Sequence, residues 1–207
     1  MARTSGARNY DFDSKRAALL DVLTDFALNG DLHRPSLRQF ALAASLSEPT
    51  LRHYFTDRQG LVIAILETLG QRSNVVWGEL PGTPPSPAEA LQVYFRASLE
   101  GLREGSFVRA HAFGLVEGAA CPRAGRAYLD HVLEPALETI RQLLEATPGG
   151  PREPDALRAA ALAALSPVLV MSLHQDLLGG RAVAPLDSQQ IVTHLEDWLG
   201  SALTGEA

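Results

Sequence analysis

Apolar residues recur every three or four positions along most of the chain, which is the spacing of one face of an α-helix. Leu19, Leu23, Phe26 and Ala27 follow this spacing, and Gly30 closes the segment. We therefore predict a first helix over about residues 14–29. The alternating patterns that are typical of strands are scarce, so the periodicity predicts an all-α fold.

Two short helical patterns follow with almost nothing between them. The first begins after Ser36, a good N-cap residue. Its small and apolar residues share one face: Leu37, Phe40, Ala41 and Ala44. The second begins at the N-cap residue Ser47, has Pro49 in its first turn and runs to about Tyr54. Two short helices joined by a tight turn are typical of a helix-turn-helix.

Longer helices account for the rest of the chain. A fourth helix opens at Thr56-Asp57 and ends near Trp77 or Leu80, and the proline-rich stretch PGTPPSP (residues 81–87) is the clearest break. Beyond it, the pattern predicts helices over about residues 87–104, 106–118, 123–146, 154–178 and 187–203. Pro135 and Pro167 should kink or divide two of them. We expect two domains, a helix-turn-helix domain over residues 1–58 and a C-terminal domain over residues 59–207.

Composition indicates the compartment. Hydrophobic residues make up 46% of the 207 residues, which is enough for a sizeable core. No run of about 18 apolar residues is apparent and no apolar stretch follows the N-terminus, so we expect neither a membrane span nor a signal peptide. The single cysteine, Cys121, cannot form an internal disulfide, which fits a reducing environment. We expect a cytoplasmic protein.

Charge is distributed unevenly along the chain. The net charge of −6 disfavours a nucleic-acid partner at first. Residues 1–72, however, hold 9 basic against 8 acidic residues, whereas residues 73–207 hold 9 against 16. The acidity therefore belongs to the C-terminal part. Eight of the nine basic residues of the N-terminal part precede or surround the two short helices, which is compatible with DNA binding. They are Arg3, Arg8, Lys15, Arg16, Arg34, Arg38, Arg52 and Arg58.

The second short helix has an apolar side and a polar side. Leu46, Leu51 and Phe55 are spaced to hold it against the other helices. A helix held by one face can lay its N-terminal half into a DNA major groove. The outward positions would then be Glu48, Pro49, Thr50, Arg52, His53 and Tyr54. Glu48, Pro49 and His53 are candidates for facing bases, because a glutamate accepts from cytosine and a proline packs on a thymine methyl. The alternative is an ordinary solvated helix face.

The stretch SLRQFALAASLSEPTLRHYFTDRQGL (residues 36–61) resembles the DNA-binding signature of the tetracycline-repressor (TetR) family of transcriptional regulators. The residues that take the positions of the signature are Phe40-Ala41, Ala44 to Ser47, Thr50-Leu51, Tyr54-Phe55, Arg58 and Leu61. This sequence departs from the family pattern at four positions. Ser45 and Pro49 stand in place of glycines, Arg52 in place of a tyrosine and Arg58 in place of a lysine. A positive φ at the turn would suit Ser45 poorly.

The resemblance implies DNA-contacting roles for individual residues. Ser36 and Arg38 would contact phosphates, and Arg58 would clamp a phosphate near the start of the fourth helix. Thr50, Arg52 and Tyr54 would contact the backbone or base edges. The full expected set is Ser36, Arg38, Ser47, Glu48, Pro49, Thr50, Arg52, His53, Tyr54 and Arg58.

The resemblance also implies a symmetric homodimer and a C-terminal domain that binds an effector and forms the dimer. The last two long helices are the expected interface, and the alanine-rich stretch 159–165 would permit close helix approach. Burial of both helices within one subunit is the alternative. Candidate pocket residues are Trp77, Tyr94, Phe95, Phe107, His111, Phe113, Tyr128, His131, Met171 and His174, although aromatic residues at helical spacing are usually core. Their low charge favours an apolar or aromatic effector.

These features favour a DNA-binding regulator. The resemblance further implies a repressor that an effector releases from a palindromic operator. No nucleophile elbow, phosphate loop or paired-carboxylate motif is present, so we expect no enzyme activity. The histidines lack metal-site spacing, so we expect no metal and no cofactor. A helical protein-interaction module that does not bind DNA is the alternative.

Overall fold

The computed structural model describes residues 5–29, 34–78 and 82–204, and within these ranges it leaves the side chains of residues 5–10, 74–78, 102–104, 106 and 204 undescribed. Helices and turns make up these ranges, with no strand among them. The first four helices are α1 (Ser5–Asn29), α2 (Leu37–Ala43), α3 (Glu48–Phe55) and α4 (Arg58–Gly78). The predicted all-α class is confirmed, although α1 begins earlier than predicted.

The later helices follow the predicted ranges with two interruptions. They are α5 (Pro87–Glu104), α6 (Ser106–Ala120), α7 (Pro122–Tyr128), α8 (Glu134–Ala146), α9 (Pro154–Ser172), α10 (Gly180–Val183) and α11 (Ser188–Thr204). A π-helical segment, Leu129–Leu133, joins α7 to α8 just before Pro135, and a second, Leu173–Leu177, continues α9. Pro167 lies inside α9. Pro135 thus marks a division of one predicted helix.

The chain folds into two compact units, each of which combines separate stretches of sequence. The first consists of residues 1–72 and 113–132, and the second of residues 73–112 and 133–207. The first unit therefore contains α1, α2, α3, most of α4, the second half of α6 and α7. A division by function at residues 58 and 59 stays a prediction.

Each unit buries an apolar core. In the first unit the core contains fully buried side chains from α1, α2, α3 and α4, namely Leu23, Phe40, Leu51, Leu61 and Ile65. In the second unit, α5 packs along α11 and α8 packs along α9. Its core contains Leu91, Phe95, Ile140, Leu144, Leu157 and Val168. Burial of each large apolar side chain stabilises the folded state by about 1.5–3 kcal/mol.

One helical stretch differs from the sequence expectation about membranes. Pro154–Leu177 is long and apolar enough to cross a membrane by length and composition alone. Core helices of soluble proteins pass the same test, so this is weak support for membrane insertion. Its residues Ala161, Ala164, Leu165 and Val168 are buried in the core of the second unit. Packing within the unit therefore accounts for part of its apolar character, since 39% of the apolar stretch is buried.

Candidate nucleic-acid interface

The α3 helix is held by two buried side chains and presents polar residues on its other side. Leu51 is completely buried and Phe55 is 4% exposed. Pro49, Arg52 and His53 are exposed. The predicted anchors Leu51 and Phe55 thus share one buried face at i, i+4 spacing. Of the other residues predicted to face outward, Glu48, Thr50 and Tyr54 are half-buried.

Leu46 does not anchor the helix as predicted. It lies in the turn before α3, its side chain is 37% exposed, and its amide donates to the Ala41 carbonyl at 2.8 Å. The turn itself contains Ser45 with φ 55°. The chain therefore uses serine in the left-handed conformation where the resembled signature has glycine, and the turn closes in spite of this.

Hydroxyl groups cap both short helices. Ser47 Oγ accepts from the Thr50 amide at 3.3 Å and lies 2.8 Å from Thr50 Oγ1. Ser36 and Gln39 form a reciprocal capping box at the start of α2. Ser36 and Ser47 nevertheless remain exposed. These hydroxyls thus fix the first turns of α2 and α3 while staying accessible from solvent.

The exposed face of α3 carries one ion pair. Arg52 Nη2 lies 3.9 Å from Glu48 Oε2, and the Arg52 side chain is 55% exposed. An exposed i, i+4 pair of this kind contributes only about 0.3–0.5 kcal/mol, so it does not prevent either group from turning to another partner. Arg38 on α2 is also exposed. Two cations are therefore accessible, Arg38 in the first turn of α2 and Arg52 in the last turn of α3.

Aromatic contacts from α1 brace the C-terminal half of α3. The Phe12 ring stacks on Tyr54 with centroids 4.9 Å apart, and it meets His53 edge to face at 5.4 Å. The Arg16 guanidinium lies 5.1 Å from the centre of the Phe55 ring. His53 and Tyr54 are thus oriented by α1. The sequence analysis missed Phe12, which its position seven residues before Leu19 could have indicated.

The Arg58 guanidinium forms hydrogen bonds to other residues of the first unit. Nε donates to the Pro35 carbonyl at 2.6 Å, Nη1 donates to Glu117 Oε2 at 2.9 Å, and Nη2 donates to Glu117 Oε1. The Glu117 side chain is 1% exposed and that of Arg58 is 22% exposed. Sequence reasoning found Arg58 but missed Glu117, because 59 residues separate them and no local pattern marks a long-range ion pair.

The ten candidate pocket residues are dispersed. Tyr94, Phe95 and Met171 belong to the core of the second unit and Phe107 packs against it, while His111 is buried and His174 half-buried. Phe113, Tyr128 and His131 belong to the first unit. The Trp77 side chain lies outside the described residues. Burial raises the pKa of Tyr128 to about 12 and lowers that of His111 to about 4, as expected for ionisable groups in apolar cores.

The second unit contains two neighbouring cavities with largely polar linings. One, of about 260 Å³, is lined by Gln92, Arg96, Leu99, Glu100, Gln189 and Glu196. The other, of about 190 Å³, shares Leu99 and Gln189 and adds Met171, Ser172, Gln175, Asp176, Arg181 and Ser188. Burial raises the pKa of Glu196, with Arg96 opposing and Asp197 adding to the shift. Met171 is the one candidate pocket residue that lines either of these two cavities.

Within the described part of the chain, no three His, Cys, Asp or Glu side chains come together in a group that could hold a metal ion. Cys121, at the N-cap of α7, is a buried free thiol.

Comparison of the sequence with family models and with curated proteins found no match. The structure, in contrast, resembles solved transcriptional regulators over nearly its whole length. A protein from Rhodococcus sp. assigned to the TetR family has a TM-score of 0.67 at 16% identity, covering 92% of this chain and 99% of that chain. A protein from Pseudomonas aeruginosa PAO1 assigned as a transcriptional regulator has a TM-score of 0.63 at 21% identity, covering 92% and 90%. Salmonella enterica GusR has a TM-score of 0.61 at 18% identity, covering 91% and 94%. The chain therefore has the all-α fold of TetR-type transcriptional regulators.

Proposed function

We propose that the protein is a TetR-family transcriptional regulator that binds double-stranded DNA and reads it with α3. The observation that carries the proposal is the division of α3 into a buried side, Leu51 and Phe55, and an exposed side that includes Pro49, Arg52 and His53. A short helix fixed in this way can enter a major groove with its N-terminal residues against base edges.

The proposed contacts fall into two classes. Ser36, Arg38 and Arg52 contact phosphates, which positions the protein without reading sequence. Residues closer to the bases carry the specificity, namely Ser47, Glu48, Pro49, Thr50, His53 and Tyr54. Arg58 is left out of this set, because its guanidinium is already bonded to Pro35 and Glu117.

A single α3 reads only a few base pairs, so we propose a homodimer on a palindromic operator. Support comes from an exposed stripe along α9 in which Ala159, Leu162, Ser166 and Val170 lie on one helical face. Leu162 is 43% exposed and Val170 is 63% exposed. Trp198 on α11 is 68% exposed. Large apolar residues left in solvent on the predicted interface helices favour their burial against a second copy.

We further propose that the protein acts in the cytoplasm as a repressor, without enzyme activity, and that a small effector binding in the second unit releases it from DNA. The sequence favours an apolar or aromatic effector, whereas the cavity lining favours one that also carries polar groups, since Arg96, Glu100 and Glu196 line the larger cavity. To act, the effector must bind the DNA-incompetent form better, by about 1–3 kcal/mol.

The test is a titration of fluorescent DNA from upstream of the protein's own coding region, followed by anisotropy at several salt concentrations. Binding should weaken steeply with salt, because each neutralised phosphate contributes a log–log slope of about −0.9. Arg52→Ala should weaken binding by about tenfold or more, which corresponds to at least 1.4 kcal/mol. Binding that is insensitive to both salt and this substitution would refute the proposed interface.

A matched control is available on α7. The Arg126 side chain is 77% exposed and ion-paired with Asp130 at i, i+4 spacing, much as Arg52 is 55% exposed and paired with Glu48. Arg126→Ala should leave DNA affinity unchanged. Binding to a protein partner with no DNA affinity at all would instead favour a helical protein-interaction module.

A further inference from the structure

The buried carboxylate of Glu117 in the first unit accepts hydrogen bonds from Arg34, before α2, and from Arg58, after α3. We propose that Glu117 positions α2 and α3 for DNA binding through Arg58, and that Arg58 serves this role inside the protein instead of contacting a DNA phosphate. The inference rests on the proposed function, since positioning is defined by its effect on DNA affinity.

Four residues form a hydrogen-bonded cluster, called the clamp below, namely Arg34, Pro35, Arg58 and Glu117. Arg58 meets both carboxylate oxygens of Glu117 through Nη1 and Nη2, and its Nε reaches the Pro35 carbonyl at 2.6 Å. Arg34 adds a second cation, with its Nε 3.2 Å from Glu117 Oε2. Bidentate pairing of this kind fixes the orientation of the guanidinium as well as its position.

The clamp joins the segments on either side of α2 and α3. Arg34 and Pro35 lie immediately before Ser36, the N-cap of α2, and Arg58 is the first residue of α4. All of them are bonded, directly or through Arg58, to one carboxylate on α6. Displacement of either end of the helix-turn-helix would therefore break bonds to Glu117.

The carboxylate itself is held in place by close packing between α6 and α7. A Cβ on Gly114 would lie 2.1 Å from the Tyr128 ring, and one on Gly118 would lie 3.0 Å from the Gly125 Cα. Sliding of the two helices past each other would therefore produce steric overlap, and their separation would leave a cavity. Beside the clamp, Arg123 on α7 donates to Gln59 on α4 at 3.3 Å. The packing of α6 against α7 thus fixes the position of Glu117, and Glu117 in turn orients the Arg58 guanidinium.

Burial makes the carboxylate dependent on its partners. At 1% exposure Glu117 has lost its hydration, and removal of one partner from a buried pair leaves a charge poorly compensated. A phosphate contact by Arg58 would have to compete with this carboxylate for the same donors. The bonded geometry therefore favours a role for Arg58 within the protein.

The experiment uses the full-length protein with Glu117→Gln, Arg58→Gln, the double variant and Arg58→Lys. Operator affinity and its salt slope are measured for each, and unfolding by denaturant is followed in parallel. Positioning predicts that Glu117→Gln weakens binding about tenfold while the salt slope stays that of the unmodified protein. The double variant should lose less affinity than the product of the two single losses, because both act through one bond.

Arg58→Lys separates the two roles for Arg58 even if a glutamine variant fails to fold. Lysine keeps a charge that can meet a phosphate, but it cannot bridge both carboxylate oxygens and the Pro35 carbonyl. Positioning therefore predicts weakened binding, whereas a phosphate contact predicts affinity close to that of the unmodified protein. An Arg58→Gln salt slope reduced by about 1 would also show a phosphate contact and overturn the inference.

Two further outcomes would count against the positioning role of Glu117 alone. Lower stability of Glu117→Gln with the operator affinity of its folded fraction unchanged would show a structural role only. Full operator binding by a stable Glu117→Gln variant would remove the inference but leave the proposed function standing. Failure of the unmodified protein to bind DNA would instead remove the proposed function, and the inference with it.

Discussion

Two residues beside α3 hold positive φ angles without being glycine. Ser45, in the turn before α3, has φ 55°, and Thr56, directly after α3, has φ 68° and ψ −58°. The Asp57 amide donates to the Phe55 carbonyl at 2.8 Å, so Thr56 is the central residue of a γ-turn. Each conformation costs about 1–3 kcal/mol, and the flanking anchors Leu51 and Phe55 hold them in place.

At Ser45 this strain can be relieved. Ser45→Gly should raise the free energy of unfolding by about 0.5–1 kcal/mol, since the side chain is exposed and glycine adopts positive φ without steric cost. The midpoint of urea denaturation measures the change. Ala43→Gly, two residues earlier in α2, is the matched control and should lower stability by about 1 kcal/mol. A destabilised Ser45→Gly variant would contradict the strain at the turn.

Protonation of a single buried histidine should make stability depend on pH. Burial lowers the pKa of His111 from 6.5 to about 4, so between these values the unfolded chain binds a proton that the folded chain does not. Stability should therefore fall as pH falls from about 6.5 to 4, by up to about 3 kcal/mol. His111→Gln should flatten the unfolding free energy over this range in denaturant titrations. If the unfolding free energies of the unmodified protein and of His111→Gln changed equally with pH, His111 would not be the group responsible.

At the scale of elements, the junction of α3 and α4 is packed tightly enough to transmit displacement between them. Asp57 caps α4, with its Oδ1 accepting from the Gly60 amide at 2.7 Å. A Cβ on Gly60 would lie 2.2 Å from the Phe55 carbonyl oxygen at the end of α3. The start of α4 therefore lies directly against the end of the proposed reading helix, and the contact is between backbone atoms of the two helices.

Gly60→Ala should destabilise the protein by about 1–3 kcal/mol, because backbone atoms cannot move aside as a flexible side chain could. Thermal or urea unfolding measures the loss, and DNA affinity should fall with it because α3 is displaced. Gly101 in α5 provides the control: a Cβ there would meet Phe107 Cβ at an ordinary 3.8 Å. Gly101→Ala should be neutral or slightly stabilising, and equal losses at the two sites would contradict the close approach.

At the scale of the whole molecule, the proposed dimer can be tested without unfolding the protomer. Val170→Glu and Trp198→Glu alter side chains that are 63% and 68% exposed, so the core of the second unit should be unaffected. Each should shift the mass in sedimentation equilibrium from dimer towards monomer and weaken operator binding, because a monomer contacts one half-site only. Val22→Glu, at a 48% exposed position on α1, should leave the dimer intact. An unchanged mass in both test variants would place the interface elsewhere.

Local rules were enough for much of the fold. Hydroxyl N-caps at Ser36 and Ser47, the i, i+4 anchors Leu51 and Phe55, and the proline-rich break at residues 81–87 all act over a few residues, so the order of the helices follows from their spacing. The resemblance to the TetR signature then indicated the fold that the structural comparison shows.

The sequence by itself thus determined the helices and which face of α3 is apolar, because periodicity and capping depend on neighbouring residues. Only the tertiary structure decided the partners across the chain. It buried Glu117 against Arg58, stacked Phe12 on Tyr54, and placed Tyr94 and Phe95 in the core of the second unit. These outcomes depend on which distant helices meet, and a charge or an aromatic ring has the same local pattern whether it contacts DNA, a ligand or its own core.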